Sequence, residues 1–275
     1  MAEKQKKGHF APIRFLILTA ACAMFLYSGY QLFVHWYEDR QSQKGQQDLI
    51  DQAVVVIKST EGESEPAEET EQSDVSKATE PKKVLADAPP IFVDFETLLS
   101  ENPNIVAWIY SEGTVINYPV VQGDDNDEYL HKGLNGKYLR SGTLFVEAHN
   151  QRIGMDPNYI IYGHSMKNGS MFGMLLHYKK QSYYADHPVM YYLTPEGDYR
   201  IELFAGKVVK TTDPIYSVKD GSAEFYEHVQ TLREKSTFQS DVTISEQDTI
   251  VTLSTCSYEF DQARYVLLGK LVPIE

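Results

Sequence analysis

A chain of 275 residues, 42% of them hydrophobic and 12% aromatic, can bury one sizeable domain but hardly two. Its formal charge is -14, and no Lys/Arg cluster lies beyond the first 14 residues. Such a chain has little with which to grip a phosphate backbone, so no nucleic-acid partner is expected.

Residues 1–14, read as a cytoplasmic N-terminus, carry Lys4, Lys6, Lys7 and Arg14. Phe15 to Val34 follows as 20 residues without a charge. That is the length a transmembrane helix needs to cross roughly 30 Å of hydrocarbon. The positive flank predicts a single-pass membrane protein with its bulk outside the cell, and Trp36 and Tyr37 at the outer interface. The alternatives are a cleaved signal peptide, with Ala21-Cys22-Ala23 as the cleavage-like triplet, or a lipoprotein signal using Cys22. The apolar residues that continue past the triplet argue against both.

Residues 35–90 read as an extracellular stalk and acidic linker. Gln41 to Val56, polar and then apolar, is compatible with a helical stalk. Ser59 to Pro90 is rich in Glu, Ser, Thr, Ala and Pro and too poor in large apolar groups to fold, which predicts a disordered, extended tether. Glu61, Glu63, Glu65, Glu68, Glu69, Glu71, Asp74 and Glu80 against Lys77 place -7 of the -14 there.

The folded domain is expected over residues 91–275. Asp94 can cap a short helix in FETLLS, and Asn102-Pro103 restarts the chain in a cap-then-proline pattern. Eight β-branched or aromatic runs bounded by turn residues then predict strands: Ile105–Tyr110, Thr114–Val121, Gly142–Val146, Tyr159–Tyr162, Val189–Leu193, Tyr199–Lys210, Thr249–Thr255 and Arg264–Val272. Eight short strands in one domain suggest a closed barrel or a sandwich. Between Asp220 and Ser236 the period changes: Phe225, Val229 and Leu232, spaced four and three apart, predict a helix. It is placed between the seventh and eighth strands.

Of the two cysteines, Cys22 lies in the apolar run and is a poor disulfide partner for Cys256. An unpaired thiol outside the cell is either accidental or chemically employed. Cys256 ends the run TIVTLSTC, and after SYEFDQA the chain returns as RYVLLGKLV, which makes the two strands antiparallel neighbours. Cys256 and Arg264 would then share one loop mouth, where a guanidinium can stabilise a thiolate or the oxygen of a tetrahedral intermediate. An inert buried cysteine beside a surface arginine satisfies the same spacing.

His164 ends another strand, in NYIIYGHSMKNGSMFG. Thiol catalysis wants a histidine, because an unassisted thiol of pKa about 8.5 is only about one-tenth thiolate at pH 7.5. His149 and His177 compete by composition, and a loop histidine is often merely structural or exposed. His149, His164, His177 and His187 match neither HExxH nor a paired C-x-x-C set, and no phosphate-binding glycine loop is present. No metal and no cofactor are expected.

Taken together, TLSTC at 252–256, Arg264 eight residues beyond the cysteine, and YGHSMKNGSMFG around His164 resemble the sortases, cysteine transpeptidases of Gram-positive surfaces. The resemblance runs over roughly residues 91–275, through NPNIVAWI, INYPVVQGDDNDEYL and SGTLFV, and excludes the acidic stretch. The inserted helix, Gly221–Lys235, and a helical N-terminal extension are similar to class B. No Asp-Pro-aromatic lid motif precedes the domain, which argues against a pilus-building class C enzyme.

The resemblance implies a mainly β fold: an eight-stranded sortase barrel with N-terminal helices and a helix inserted before the cysteine strand. It implies a triad of Cys256 as nucleophile, His164 as proton donor to the leaving amine and Arg264 on substrate backbone and oxyanion. Asn126, Leu130 and Ser254 would contact substrate, and Thr211, Ile215 and Tyr216 would line the groove. The implied activity is cleavage of an NPxTx-like C-terminal sorting signal of secreted proteins through a thioacyl enzyme. The acyl group would pass to an amine of peptidoglycan or its lipid-linked precursor. A pilin-polymerising sortase, a noncatalytic barrel binding cell-wall peptides and a cysteine hydrolase trimming peptidoglycan stems stay open beside it. Two departures bear on mechanism. Some class B relatives carry an acid shortly after the cysteine, whereas here Ser257 and Tyr258 follow and Glu259 is third, so a carboxylate partner for His164 is unassigned. Glu147 stands where an aspartate often ends the SGTLFV-type strand, and no role is assigned to it.

Overall fold

The computed structural model describes residues 11–56 and 89–274. Residues up to Gln47 and residues from Asp48 onward form two separate units. Helix α1 (Ala11–Ala53) contains Arg14–Glu38, which is long and apolar enough to cross a membrane. Its side chains from Arg14 to Tyr30, Cys22 among them, are exposed. That is the pattern of a helix whose apolar surface is not buried in protein.

The second unit starts earlier than Ile91. Strand β1 (Val54–Val56) pairs antiparallel with β2 (Ile91–Val93), with Val56 opposite Ile91. The Asp94 N–H closes the pair by donating to the Ala53 carbonyl at 2.8 Å. The expected tether, Ser59 to Pro90, lies outside the described residues except for Pro89 and Pro90. Ala53, Ile91 and Val93 are buried with Leu98, Ile105 and Trp108.

Helix α2 (Phe95–Glu101) is capped as its sequence predicts. The Asp94 carboxylate accepts from the Thr97 hydroxyl at 2.6 Å and the Thr97 N–H at 3.1 Å, bonds that hold it below the usual carboxylate range. No helix begins at Pro103. Asn102 instead ends α2, and its Nδ2 donates to the Leu134 carbonyl at 2.9 Å and to the Tyr129 hydroxyl at 3.2 Å.

Eight strands then close a barrel: β3 (Ile105–Tyr110), β4 (Asn117–Val121), β5 (Leu144–Val146), β6 (Asn158–Tyr162), β7 (Val189–Thr194), β8 (Gly197–Lys210), β9 (Ile250–Cys256) and β10 (Ala263–Pro273). Their order around the barrel is β10-β8-β7-β3-β4-β5-β6-β9, and each overlaps a predicted run. Closure leaves no unpaired edge. The period-2 alternation sorts the side chains. Tyr159, Ile161, Val251, Leu253, Tyr265 and Leu267 fill the interior. Tyr162, Ser254, Cys256 and Arg264 have the opposite parity and therefore project from the outer face.

Helix α4 (Ala223–Glu234) covers part of that outer face. Ser222 caps it by accepting from the Phe225 N–H, and Phe225, Val229 and Leu232 pack with Phe204, Val266 and Leu268. It precedes the cysteine strand as expected but falls between the sixth and seventh barrel strands, β8 and β9, not between the seventh and eighth. A 3-10 helix over Phe172–Lys179, followed by α3 (Gln181–Asp186), adds Phe172, Leu175 and Tyr178 to the interior cluster.

Candidate active site

Strand register brings Cys256, His164 and Arg264 together. Cys256 at the end of β9 pairs directly with Arg264 at the start of β10, and directly opposed residues share a face. On the other side of β9, β6 runs parallel to it with Tyr162 opposite Ser254, so the chain leaving β6 carries His164 level with Cys256. The turn is stitched to β9: the Gly163 N–H donates to the Ser254 carbonyl at 3.1 Å, and the Thr255 hydroxyl donates to the Gly163 carbonyl at 2.7 Å. Only glycine fits there. A Cβ on residue 163 would lie 2.4 Å from Leu144 Cδ2 and 2.7 Å from the Phe172 ring.

Cys256, His164 and Arg264 line one cavity of about 590 Å³, together with Asn126, Leu130, Thr211, Tyr216 and Ser254. Eight of the nine residues singled out from sequence thus share a single groove. Ile215 does not: it is fully buried, packed beneath α4 with Phe204, Val209 and Val266. Its neighbour Tyr216 takes the groove position because the 3-10 turn over Pro214–Tyr216 sends successive side chains to different sides.

His164 is oriented through its backbone neighbours. Its Nε2 lies 2.8 Å from the Leu130 carbonyl. A carbonyl only accepts, so Nε2 carries the proton, and Nδ1 is the nitrogen left for proton transfer. Burial lowers the imidazole's pKa, the Leu130 bond partly opposes this, and His131, stacked at 5.2 Å between centroids, lowers it further. Glu259 is not its partner. That carboxylate is bound by Lys179 and Ser257, and the Lys179 bond first, then Ser257, pulls it down to about 2. The Arg264 Nη1 donates to the Ala263 carbonyl at 3.0 Å, and no carboxylate among the described residues lies within ion-pair distance of it. Its charge is therefore available to an anion in the groove.

The walls are held by polar contacts that sequence reasoning left out. The Tyr216 and Ser254 hydroxyls are 2.8 Å apart, and the rings of Tyr216 and Tyr162 stack. Burial pushes the Tyr216 phenol up to about 12, so it stays a neutral hydrogen-bonding group. Asn158, fully buried at the start of β6, donates to the carbonyls of Ile215 at 2.6 Å and Ser217 at 3.1 Å and accepts from the Thr252 hydroxyl at 2.8 Å. His228 of α4 reaches Asp213 at 2.6 Å, tying the inserted helix to the same wall. Phe145, Glu147, His149, Tyr162, Gly163, Val218 and Thr255 also line the groove. Tyr162 was within reach of a sequence argument, standing two residues before His164 as Ser254 stands two before Cys256. His177 is absent from the lining and packs edge-on to Tyr183.

The model of the sortase domain matches residues 109–272. The chain is 31% identical over 254 residues to sortase B of Listeria monocytogenes, covering 90% of this chain and 92% of that protein. It is 32% identical over 183 residues to sortase B of Staphylococcus aureus, covering 66% and 75%. Among solved structures, a Staphylococcus aureus sortase B–substrate complex superposes with a TM-score of 0.62 at 32% identity, covering 66% of this chain and 85% of that one. Clostridium perfringens sortase B gives 0.61 at 32% identity, covering 65% and 100%. The barrel, the helix inserted ahead of the cysteine strand and these likenesses agree, and the chain belongs to the sortase family, as a class B sortase.

Proposed function

We propose that the protein is a membrane-anchored transpeptidase in which Cys256, His164 and Arg264 cleave an NPxTx-like C-terminal sorting signal of secreted proteins and pass the acyl group to an amine of peptidoglycan or its lipid-linked precursor. The observation that carries this reading is the in-register pair of Cys256 and Arg264, with His164 level across β9, in one groove. The apolar helix segment Arg14–Glu38 supports the anchoring.

The Cys256 thiolate attacks the carbonyl carbon of the signal's threonine, and the carbonyl π electrons move onto oxygen. Arg264 has no competing carboxylate among the described residues, so its guanidinium charge is free to stabilise that oxyanion. The C–N bond then breaks while His164, which took the Cys256 thiol proton on Nδ1 as the sulfur attacked, gives that proton to the departing amine. A thioester remains on Cys256. The acceptor amine attacks it, loses a proton to His164 Nδ1, and expels the thiolate. Splitting one amide exchange in this way keeps the acyl group activated until an amine arrives.

The test is incubation of the protein in detergent with NPxTx-type and LPxTG-type peptides, with and without an amine acceptor, followed by intact mass measurement. Cleavage of the first peptide, an adduct on Cys256 and an amine-joined product, all lost in Cys256→Ala, are expected. Hydrolysis that ignores the amine would overturn transpeptidation in favour of a peptidase. Turnover undiminished in Cys256→Ala would remove the thiol from the mechanism.

A further inference from the structure

Glu147 is a carboxylate with 10% of its side chain exposed, on the lining of the groove. Its Oε2 accepts from Asn126 Nδ2 at 2.6 Å and from the Tyr162 hydroxyl at 3.0 Å, while Oε1 faces His149 Nδ1 at 2.8 Å. Burial raises its pKa, but the bonds from His149, Tyr162 and Asn126 outweigh burial and leave it below the usual range. It is therefore ionised at neutral pH with its lone pairs committed.

Those bonds fix what its neighbours can offer. Asn126 Oδ1 accepts from the Ala148 N–H at 2.9 Å, so both ends of that amide are determined. One Nδ2 hydrogen goes to Glu147, which leaves Asn126 a single N–H for a ligand. Tyr162 spends its proton on Glu147 and presents only an acceptor oxygen and a ring face.

The register locates this cluster. With Phe145 opposite Tyr162 on β5 and β6, Glu147 is level with Ile160, which pairs with Thr252, four residues before Cys256. At about 3.3 Å per residue along a strand and about 4.8 Å between strands, Glu147 lies about 16 Å from Cys256 along the sheet. That is too far for acid–base work at the thioester. It matches the span of the acyl segment that must extend away from Cys256 once the leaving group has gone.

Building on the proposed function, we propose that Glu147 is a positioning residue: it fixes the Asn126 amide and the Tyr162 hydroxyl in the groove wall and thereby sets the affinity for the upstream part of the sorting peptide. Glu147→Leu strands both donors. Glu147→Gln retains them, because its amide oxygen can occupy the Oε2 position and its NH2 can donate to His149 in the other tautomer.

The experiment uses the full chain in detergent, with steady-state transpeptidation of the peptide that the wild type processes best, for Glu147→Leu, Glu147→Gln, Asn126→Ala and the Leu/Ala double variant. Thermal unfolding is followed alongside, and so is the rate at which a small methanethiosulfonate modifies Cys256. Glu147→Leu should raise KM at least tenfold with kcat within threefold and the Cys256 modification rate unchanged. Glu147→Gln should bring KM back to within threefold of wild type. The double variant should be no worse than the poorer single variant, since Glu147 acts through Asn126. Unaltered KM in Glu147→Leu, a Gln variant as poor as Leu, an additive double variant, or kcat and thiol reactivity falling together would each overturn the inference. Absence of wild-type turnover with any peptide would overturn the function reading and this one with it, whereas wild-type turnover with unaltered KM in Glu147→Leu overturns this one alone.

Discussion

Gly142 gives a direct test of how His164 is held. The residue has φ +55°, and a Cβ there would lie 2.3 Å from the Leu130 carbonyl oxygen and 2.4 Å from that of Tyr129. Leu130 O is the same atom that accepts from His164 Nε2 at 2.8 Å. Gly142→Ala therefore does two things. The left-handed backbone costs about 1–2 kcal/mol for an L side chain. Displacing the Leu130 carbonyl removes a hydrogen bond worth about 1 kcal/mol. A loss of about 2–3 kcal/mol lowers Tm by about 5–10 °C in a domain of this size. The His164 share, at tenfold per 1.4 kcal/mol, lowers kcat/KM about fivefold. Gly136→Ala is the control, because Gly136 has φ +74° and open space around its missing Cβ. It should show the backbone cost without the kinetic one. Peptide kcat/KM and calorimetric Tm, measured side by side, decide the matter. If Gly142→Ala and Gly136→Ala retain the same kcat/KM, the Leu130 carbonyl does not orient His164.

Arg264→Lys keeps the charge and loses the planar fork, so kcat/KM should fall by about two orders of magnitude, and a near-normal rate would mean that charge alone suffices. Asn158→Leu leaves the carbonyls of Ile215 and Ser217 and the Thr252 hydroxyl without their buried partner. Denaturant unfolding should show a loss of about 3 kcal/mol, and a loss below about 1 kcal/mol would refute the wall-anchoring role. Burial lowers the folded pKa of His164, so the unfolded chain binds more protons as pH falls through about 6.5, and folding stability drops in that window. Stability compared at about pH 7.5 and about pH 5.5 should therefore depend less steeply on pH in His164→Gln, and an identical slope would remove His164 from the account. Replacing residues 57–90 by a short hairpin turn should leave kcat/KM on soluble peptides within twofold, and a large loss would show that the acidic stretch takes part in catalysis.

The barrel was legible in the sequence because its strands alternate cleanly or form short apolar runs. Cys256 and Arg264 were legible because one loop joins their strands, so spacing alone nearly fixes their juxtaposition. His164 needed the family resemblance: its approach to Cys256 depends on the parallel pairing of β6 with β9, strands separated by some ninety residues that carry no mutual signal. Glu147 was visible but mute, since a buried carboxylate acquires its role from Asn126 and Tyr162, which arrive from other segments. Ile215 and Tyr216 were indistinguishable as neighbours in sequence, and only the 3-10 turn separates core from groove. Asn102 followed by proline read as a helix start, but tertiary bonds to Tyr129 and Leu134 use that side chain instead.

The β1–β2 pair changes what the acidic stretch can do. A flexible chain of some thirty residues between a membrane helix and a barrel would ordinarily lengthen the reach of the active site roughly as the square root of its length. Here Val56 is opposite Ile91, so the segment between them starts and finishes about 5 Å apart. However far it extends in between, it returns to its point of departure and adds no reach. Reach is then governed by the chain that precedes Val54. What the acidic stretch retains is charge: eight carboxylates against one lysine between Ser59 and Glu80, in a segment whose ends are joined by the β1–β2 pair. Such a field, screened beyond about 8 Å at physiological salt, acts only on what comes close to the stretch itself.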